Sequence, residues 1–278
     1  MGTMTGGPNS DSIIGVAPGA KWIGCRNMEE GDGTPATYIE CFQWFIAPTN
    51  TSNGSPNTAM APHVINNSWG CPASEGCTPS NYATMETVVN TVRSAGILVV
   101  VSAGNDGPGC STVNTPAPIY TGSFSVGATN SSDNISNFSS RGPVTVYTST
   151  MKPDISAPGA SILSCTGHDN NSGSYHYAGN WSGTSMAGPH VAGVAALIMC
   201  ARPDLKGNVT VLETLMKNSA VPRYASSPFC GTDNGTSRPN NVYGWGRINA
   251  KAAVLAALAF PVELLSFSVE NAGKSALV

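Results

Sequence analysis

One serine in this sequence stands where a hydroxyl can act as a nucleophile. The string Gly-Thr-Ser-Met-Ala-Gly-Pro-His at 183–190 runs into an apolar segment that predicts a buried helix. The ring of Pro189 would collide with the carbonyl of Ser185, so a regular helix cannot begin much before the serine. We therefore expect Ser185 in the first helical turn, where unpaired N–H groups and the helix dipole favour the negative charge of a tetrahedral intermediate.

Asn105 is the second candidate for chemistry. It lies in the string Ser-Ala-Gly-Asn-Asp-Gly at 102–107, directly after the strongest predicted strand, at 97–101. Open α/β sheets bind their ligands at the carboxyl ends of strands, and a side-chain amide there can donate a hydrogen bond to an oxyanion. Taken alone, Asn-Asp-Gly is more typical of a turn. Beside the Ser185 motif, the oxyanion role is favoured.

The elements that must position these side chains alternate along the chain. Periodicity predicts strands over 20–26, 64–68, 97–101 and 124–128 and helices over 37–46, 82–94, 185–201, 209–219 and 249–259. The 97–101 strand is apolar on both faces, as a central strand of a parallel sheet is. The 185–201 helix is apolar nearly all round, and its Gly193 permits close approach of a neighbour. This alternation predicts an α/β domain with a mostly parallel sheet.

The composition limits the classes of partner. A chain of 278 residues can hold one large domain with a sizeable core. Only 10% of the residues are charged and the net charge is -3, so we expect no basic patch and no nucleic-acid partner. The longest apolar runs are interrupted by Gly, Pro and His and fall short of a membrane span. We expect a soluble chain with no membrane partner.

The sequence has eight cysteines and no metal-type Cys-x-x-Cys pair. Cys71 and Cys77 close a short loop between turn formers, so a disulfide there is plausible and would suit an exported protein. Buried free thiols are the alternative. Pairings beyond that loop do not follow from the sequence.

The strings occur in an order that resembles the subtilisin-like serine proteases, the subtilases. The segment around Ser185 resembles the nucleophile motif of that family, and the segment around Asn105 resembles its oxyanion-hole asparagine. The string Ile-Asn-Asn-Ser-Trp-Gly at 65–70 resembles its substrate-binding strand and bend. With framework-like strings at 138–143, 152–159 and 243–250, the resemblance spans roughly 2–258 and is closest to the bacillopeptidase F-like branch. It implies a subtilisin-like α/β fold with helices on both faces of a mostly parallel sheet.

The resemblance also implies a peptide-binding cleft. An extended peptide would pair with one edge in β-augmentation fashion, and small residues on the opposite wall would leave room for a side chain. The residues implied are Ser68, Trp69 and Gly70 on the first edge and Ser102, Ala103 and Gly104 on the opposite wall. The alternative for 65–70 is an ordinary loop stiffened by a tryptophan.

The base that a serine nucleophile requires is missing from the sequence. Subtilases bring it in a His-Gly-Thr-His string and orient it with an acid from an Asp-Thr/Ser-Gly string, and neither string is present. None of the four histidines, His63, His168, His176 and His190, is followed by Gly-Thr. A five-residue step turns His190 roughly 140° away from Ser185 on the helix, so we expect a packed helix histidine.

We interpret residues 1–260 as a subtilase peptidase domain that lacks its N-terminal part. The string at 1–4 resembles the interior of the helix that carries the catalytic histidine in the family, which implies that this residue lies a few positions upstream. We expect the chain by itself to be an inactive fragment, with an exposed sheet edge and an uncovered apolar face. The alternating string at 265–269 predicts a strand, either the start of a truncated C-terminal β domain at 261–278 or an edge strand of the main domain.

Two other functions compete with a serine endopeptidase. A pseudoenzyme would bind peptides in an intact cleft without cutting them. An α/β-hydrolase esterase requires Gly-x-Ser-x-Gly, and the string at 183–187 ends in alanine.

The remaining expectations concern partners and location. We expect a peptide or protein substrate, a monomer, no cofactor and no metal in this chain, although family members can hold calcium near a loop like that at 8–12. No signal peptide opens the sequence, and the resemblance implies an extracellular parent protein.

Overall fold

The computed structural model describes residues 1–9, 12–168, 175–261, 270–272 and 275–277. Its strands are β1 (Pro8–Asn9), β2 (Ser12–Ile13), β3 (Met28–Glu29), β4 (Asp32–Gly33), β5 (Val64–Asn67), β6 (Leu98–Ser102), β7 (Phe124–Thr129), β8 (Ile155–Pro158), β9 (Ile162–His168), β10 (Tyr175–Trp181), β11 (Glu270–Ala272) and β12 (Ser275–Leu277). The α-helices are α1 (Gly2–Thr5), α2 (Pro35–Ile46), α3 (Tyr82–Ser94), α4 (Thr184–Ala201), α5 (Val209–Ser219) and α6 (Ala250–Leu258), with 3₁₀ turns at Thr58–Met60, Ala73–Glu75 and Pro203–Leu205.

A four-stranded parallel sheet forms the centre of the fold, in the order β5-β6-β7-β8. Strand β6 is buried along its whole length. Its side chains alternate between two apolar clusters: Leu98 and Val100 belong to one, and Val99 and Val101 belong to the other. Burying each such side chain contributes roughly 1.5–3 kcal/mol. The prediction of an α/β fold with a parallel sheet is confirmed.

Helices cover both faces of this sheet. The first cluster joins the sheet to α4, α5 and α6, and the second joins it to α2 and α3. Helix α4 contacts all four strands, so it passes under the middle of the sheet. At Gly193 a Cβ atom would lie 2.6 Å from the Cβ of Val16, which explains why this contact takes a glycine. By length and composition alone α4 could cross a membrane, but most of it is buried against the sheet.

Most of the predicted elements are present with small shifts at their ends. The bounds of α3 and α5 agree with the predicted ones, and α4 begins one residue before Ser185. Helix α2 begins earlier than predicted because Thr34 caps it in a reciprocal hydrogen-bond pair with Thr37, with Pro35 in the first turn.

The predicted strand over 20–26 is wrong. Within the described part of the chain, this segment pairs with no strand and has no regular secondary structure. Its apolar composition favours a strand, but a strand needs a partner for its main-chain groups.

Disulfides join three pairs of cysteines in the described chain, at separations of 6, 16 and 120 residues. The Cys71–Cys77 bond is present, as the turn formers around it suggested. Cys25 also pairs with Cys41, and Cys110 pairs with Cys230 across 120 residues. Cys165 and Cys200 are free and exposed.

The C-terminal residues form a short antiparallel pair of β11 and β12. The strand predicted at 265–269 lies outside the described residues. The division of the chain at 260 therefore stays a prediction.

Candidate active site

Ser185 lies in the first turn of α4, half-buried and facing the end of β5. Its Oγ donates a hydrogen bond to the carbonyl of Ser68 at 3.3 Å. In the opposite direction, the Oγ of Ser68 donates to the carbonyl of Ser185 at 3.0 Å. These two reciprocal hydrogen bonds join the start of α4 to the end of β5, which the family resemblance predicts to bind substrate.

The turn before Ser185 depends on a glycine. Gly183 precedes α4 with φ +157°, in the range that favours glycine over other residues. The adjacent Thr184 is fully buried and begins the helix. Ser185 is thereby held at the open end of the helix, where the dipole is positive.

Asn105 is oriented by Thr184. Its Oδ1 accepts hydrogen bonds from the Thr184 backbone N–H at 2.9 Å and from the Thr184 hydroxyl at 3.1 Å. Because a backbone N–H can only donate, the amide oxygen must face Thr184, and the amide nitrogen must face away. Within the part of the chain that the structure describes, the Asn105 Nδ2 has no hydrogen-bond partner, so its N–H groups remain free to donate at the cleft.

The backbone before Asn105 also has little freedom. Gly104 has φ +109°, and a Cβ atom there would lie 2.7 Å from the Oγ of Ser140. Ser140 uses that same oxygen to accept the backbone N–H of Asp106 at 3.0 Å. Both the left-handed conformation and the close hydroxyl therefore require glycine at this position.

Ser185 and Asn105 line one small cleft of about 80 Å³. None of the side chains that line it is charged, and most present a hydroxyl or no side chain at all. The lining residues are Ser68, Trp69, Gly70, Ser102, Gly104, Asn105, Thr115, Pro118, Thr184 and Ser185.

One residue predicted for the cleft does not line it. The side chain of Ala103 is 1% exposed and belongs to the apolar cluster that joins the sheet to α2 and α3. Alternate residues of a strand face opposite sides of the sheet, so Ala103 and Ser102 point in opposite directions. The sequence interpretation missed Thr184, Thr115 and Pro118. Thr184 belongs to the serine motif itself and was available as a signal, whereas Thr115 and Pro118 reach the cleft only through the tertiary fold.

Trp69, on one edge of the cleft, is held in place by packing against Tyr38. The indole of Trp69 stacks on the ring of Tyr38, with centroids 3.8 Å apart and planes 9° from parallel. The Tyr38 hydroxyl donates to Glu75, and burial together with that carboxylate raises the pKa of Tyr38 far above its ordinary value. Two residues after Trp69, the Cys71 N–H donates to the Pro116 carbonyl at 3.0 Å, which connects this edge to the segment that contains Thr115 and Pro118.

The described residues bring no base to Ser185. Its Oγ has the Ser68 carbonyl as its only hydrogen-bond partner among them. His190 points back along the helix, with Nδ1 2.9 Å from the carbonyl of Met186, and burial lowers its pKa. His63 is exposed at the far end of β5, and the side chains of His168 and His176 lie outside the description.

A large groove of about 1010 Å³ runs along the outer edge of β5. In the described chain β5 pairs only with β6, so its other edge has no main-chain partner. The segment 17–25 and residues of α2 and α4 also line this groove. Trp22 and Met60, on its rims, are 59% and 55% exposed. The Asn66 Oδ1 and Asn67 Nδ2 are buried there without a partner in the described chain.

No group of three or more potential metal ligands occurs among the residues that the structure describes. The loop at 8–12, which the resemblance connects with calcium, falls partly outside those residues.

Comparisons with known proteins show the family of the chain. The family model described as the Subtilase family, peptidase S8, matches residues 1–246. Bacillopeptidase F of Bacillus subtilis (strain 168) is 39% identical over 262 residues, which cover 92% of this chain and 16% of that protein. An "Extracellular protease" of Xanthomonas campestris pv. campestris is 35% identical over 254 residues, covering 90% of this chain and 38% of that protein.

A solved structure of proteases from Pseudoalteromonas arctica PAMC 21717 superposes with a TM-score of 0.64 at 28% identity. The match covers 88% of this chain and 65% of that one. Fold and matches together define the class as subtilisin-like peptidases. The chain belongs to the subtilase family. It spans only 16% and 38% of the two curated relatives described above.

Proposed function

We propose that this chain carries the nucleophile, oxyanion donor and substrate cleft of a secreted serine endopeptidase. In this proposal the Ser185 Oγ attacks the carbonyl carbon of a peptide bond and forms an acyl-enzyme, which water then hydrolyses. The observation that carries the proposal is the pairing of Asn105 with Thr184, because it aims a free amide N–H at the cleft that contains Ser185.

The oxyanion would be stabilised by groups that are already in place. The Asn105 Nδ2 is the side-chain donor, and the positive end of the α4 dipole adds to it. Preorganised donors of this kind need no rearrangement as the negative charge develops. Loss of one typically costs about 2.7–4 kcal/mol of transition-state stabilisation.

The substrate would lie between two backbone edges. Ser68, Trp69 and Gly70 form one edge, and Ser102 and Gly104 form the other. Ala103 does not line this cleft, since its side chain is in the core. The uncharged lining and the small volume favour an uncharged side chain next to the bond that is cut.

We further propose that this chain alone is inactive. A serine without its base loses most of the catalytic effect of the triad, about 10⁶-fold in a subtilisin series. The groove beside β5 supports the proposal that a further strand pairs with β5 in the active protein. Within the described chain the edge of β5 is unpaired, the Asn66 Oδ1 and Asn67 Nδ2 are buried without partners, and Trp22 and Met60 are exposed. A further segment of the polypeptide would fill the groove and supply the histidine and the aspartate.

Labelling with a fluorophosphonate probe tests both proposals. We expect slow or no labelling of this chain and rapid labelling at Ser185 once the residues encoded upstream are included, with Ser185→Ala as the control. Rapid stoichiometric labelling of the chain alone would overturn the inactivity. If the extended protein also fails to label but binds peptides, the pseudoenzyme is the correct function.

Export and assembly are further parts of the proposal. The disulfides suit an oxidising compartment, and one relative is titled an extracellular protease. We propose an extracellular monomer that acts on peptides or proteins, without a cofactor. Sedimentation of the oxidised protein checks the monomer.

A further inference from the structure

The carbonyl of Ser185 lacks its ordinary helical partner. In an α-helix this oxygen would accept the backbone N–H of the residue four positions later. That residue is Pro189, which has no N–H and lies inside α4. A side chain from another element takes the place of this donor, since the Ser68 Oγ donates to the same carbonyl at 3.0 Å.

The direction of that hydrogen bond is set by Asn66. The Asn66 Nδ2 donates to the Ser68 Oγ at 2.9 Å, which occupies the acceptor side of the hydroxyl. The hydroxyl proton of Ser68 is thereby directed to the Ser185 carbonyl. Hydrogen bonds in such a chain polarise and strengthen one another.

We propose that Ser68 is a positioning residue for Ser185, in addition to its place on the substrate edge. Its hydroxyl replaces the hydrogen bond that Pro189 removes, and it holds the first turn of α4 against the end of β5. The Ser185 Oγ is held from the same residue, because it donates to the Ser68 carbonyl at 3.3 Å. The importance of this position for catalysis rests on the proposed function; the hydrogen bond itself does not.

The proposal predicts an energetic coupling between Ser68 and Pro189. Replacing Ser68 with alanine leaves the Ser185 carbonyl without a donor, which we expect to raise the unfolding equilibrium constant about tenfold. In a Pro189→Ala background, residue 189 has an N–H that can donate to this carbonyl. There the same Ser68→Ala change should cost less than about twofold.

A single carbonyl signal reports the hydrogen bond directly. Met186 is the only one of the nine methionines that follows a serine, so ¹³C-carbonyl serine with ¹⁵N-methionine gives one peak from the Ser185–Met186 peptide. We expect this peak to move upfield in Ser68→Ala and to stay in place in Ser68→Thr, which keeps the hydroxyl. Asn66→Asp should move it as Ser68→Ala does, because a carboxylate accepts the Ser68 proton instead of directing it.

The matched control is Ser219→Ala, which removes a half-buried hydroxyl bound to the Leu215 carbonyl in α5. It should leave the peak unmoved. An unmoved peak in Ser68→Ala would overturn the proposal. So would an equal change in the unfolding equilibrium constant on Ser68→Ala in the wild type and in the Pro189→Ala background. Since the peak reports the hydrogen bond whether or not Ser185 reacts, a failure of probe labelling would count against the proposed function alone.

Discussion

The two edges of the central sheet are finished in different ways. At β8 the backbone of 246–248 covers the edge: the Ser156 N–H donates to Gly246 at 2.9 Å, and the Ile248 N–H donates to Ser156 at 2.8 Å. At β5 the described chain offers no main-chain partner, and a groove of about 1010 Å³ follows the strand instead. Proteins normally protect their edge strands. Within the described residues the sheet is thus closed on one side and open to a further strand on the other.

The cleft lies at the carboxyl end of this open side. Strand β5 contributes its edge to the groove and leads directly to Ser68 at the cleft. Ser185 and Asn105, the proposed nucleophile and oxyanion donor, therefore lie next to the place where the sheet is open. This arrangement explains how the described residues can provide an oriented donor and still bring no base to Ser185.

Filling the open edge should produce the largest effect. We expect the chain extended by its upstream residues to hydrolyse a peptide substrate, and Ser185→Ala in that protein to reduce kcat about 10⁶-fold. Initial rates with a chromogenic peptide measure both. Equal activity of the extended protein and the chain alone would contradict the proposal that a further segment fills the groove and supplies the base.

Damage to the closed edge should unfold the protein instead. Burial alone would raise the pKa of Asp154, but the ammonium groups of Lys152 and Lys217 overcome it and lower that pKa. Lys152 is fully buried and also donates to the Ser123 carbonyl at 2.7 Å. Asp154→Asn leaves Lys152 without a counter-ion among the described residues, which we expect to cost about 3–5 kcal/mol in urea unfolding at pH 7.

The effect of Asp154→Asn should depend on pH. Because the folded pKa of Asp154 is lowered, its contribution is complete above the unfolded pKa of about 3.9 and is lost as the pH falls through the folded pKa. The difference between the wild type and the variant should therefore shrink in acid. Asp204→Asn, whose side chain is 52% exposed in its ion pair with Arg202, is the control and should have a small effect. A pH-independent difference would mean that the variant acts through packing.

The oxyanion donor should matter only when the open edge is filled. Asn105→Asp keeps an acceptor for the Thr184 N–H but removes the amide donor. In the extended protein we expect kcat to fall about 10²–10³-fold with little change in KM, the loss of about 2.7–4 kcal/mol of transition-state stabilisation. Asp106→Asn, at the exposed neighbour, is the matched control. A change confined to KM would assign Asn105 to substrate binding.

The smallest predicted effect is the change in unfolding free energy when a methionine is truncated at the rim of the groove, compared with the same change in the core. Met85 is 1% exposed in α3, whereas Met60 is 55% exposed on the rim of the groove. We expect Met85→Ala to cost about 2–5 kcal/mol of unfolding free energy and Met60→Ala less than about 0.5 kcal/mol in this chain. Urea denaturation measures both. In the extended protein the cost of Met60→Ala should rise, and an unchanged cost would indicate that the rim stays uncovered.

Local patterns predicted most of the helices and the central strands. The periodicity of 82–94 and 209–219 is strong enough to place α3 and α5, and Pro189 limits where α4 can start. The same periodicity failed at 20–26, because whether an apolar segment becomes a strand depends on a partner that the local sequence does not contain. Thr115 and Pro118 were missed for a similar reason, since only the tertiary fold brings them to the cleft.

The cysteines show the same division. Cys71 and Cys77 are close in sequence between turn formers, and their pairing follows from local geometry. Cys110 and Cys230 are 120 residues apart, and only the packed chain brings them within bonding distance.

By itself, the sequence determined that a serine begins a buried helix, that an amide follows a central strand, and that the family's His-Gly-Thr-His string does not occur in it. Those features depend on spacing and side-chain type over a few positions. The tertiary structure alone decided that Thr184 turns Asn105 toward the cleft, that Ser68 and Ser185 hold each other, and that β5 has an open edge in the described chain. Each of these depends on which distant groups approach within hydrogen-bonding distance, and such contacts are set by packing of the whole chain.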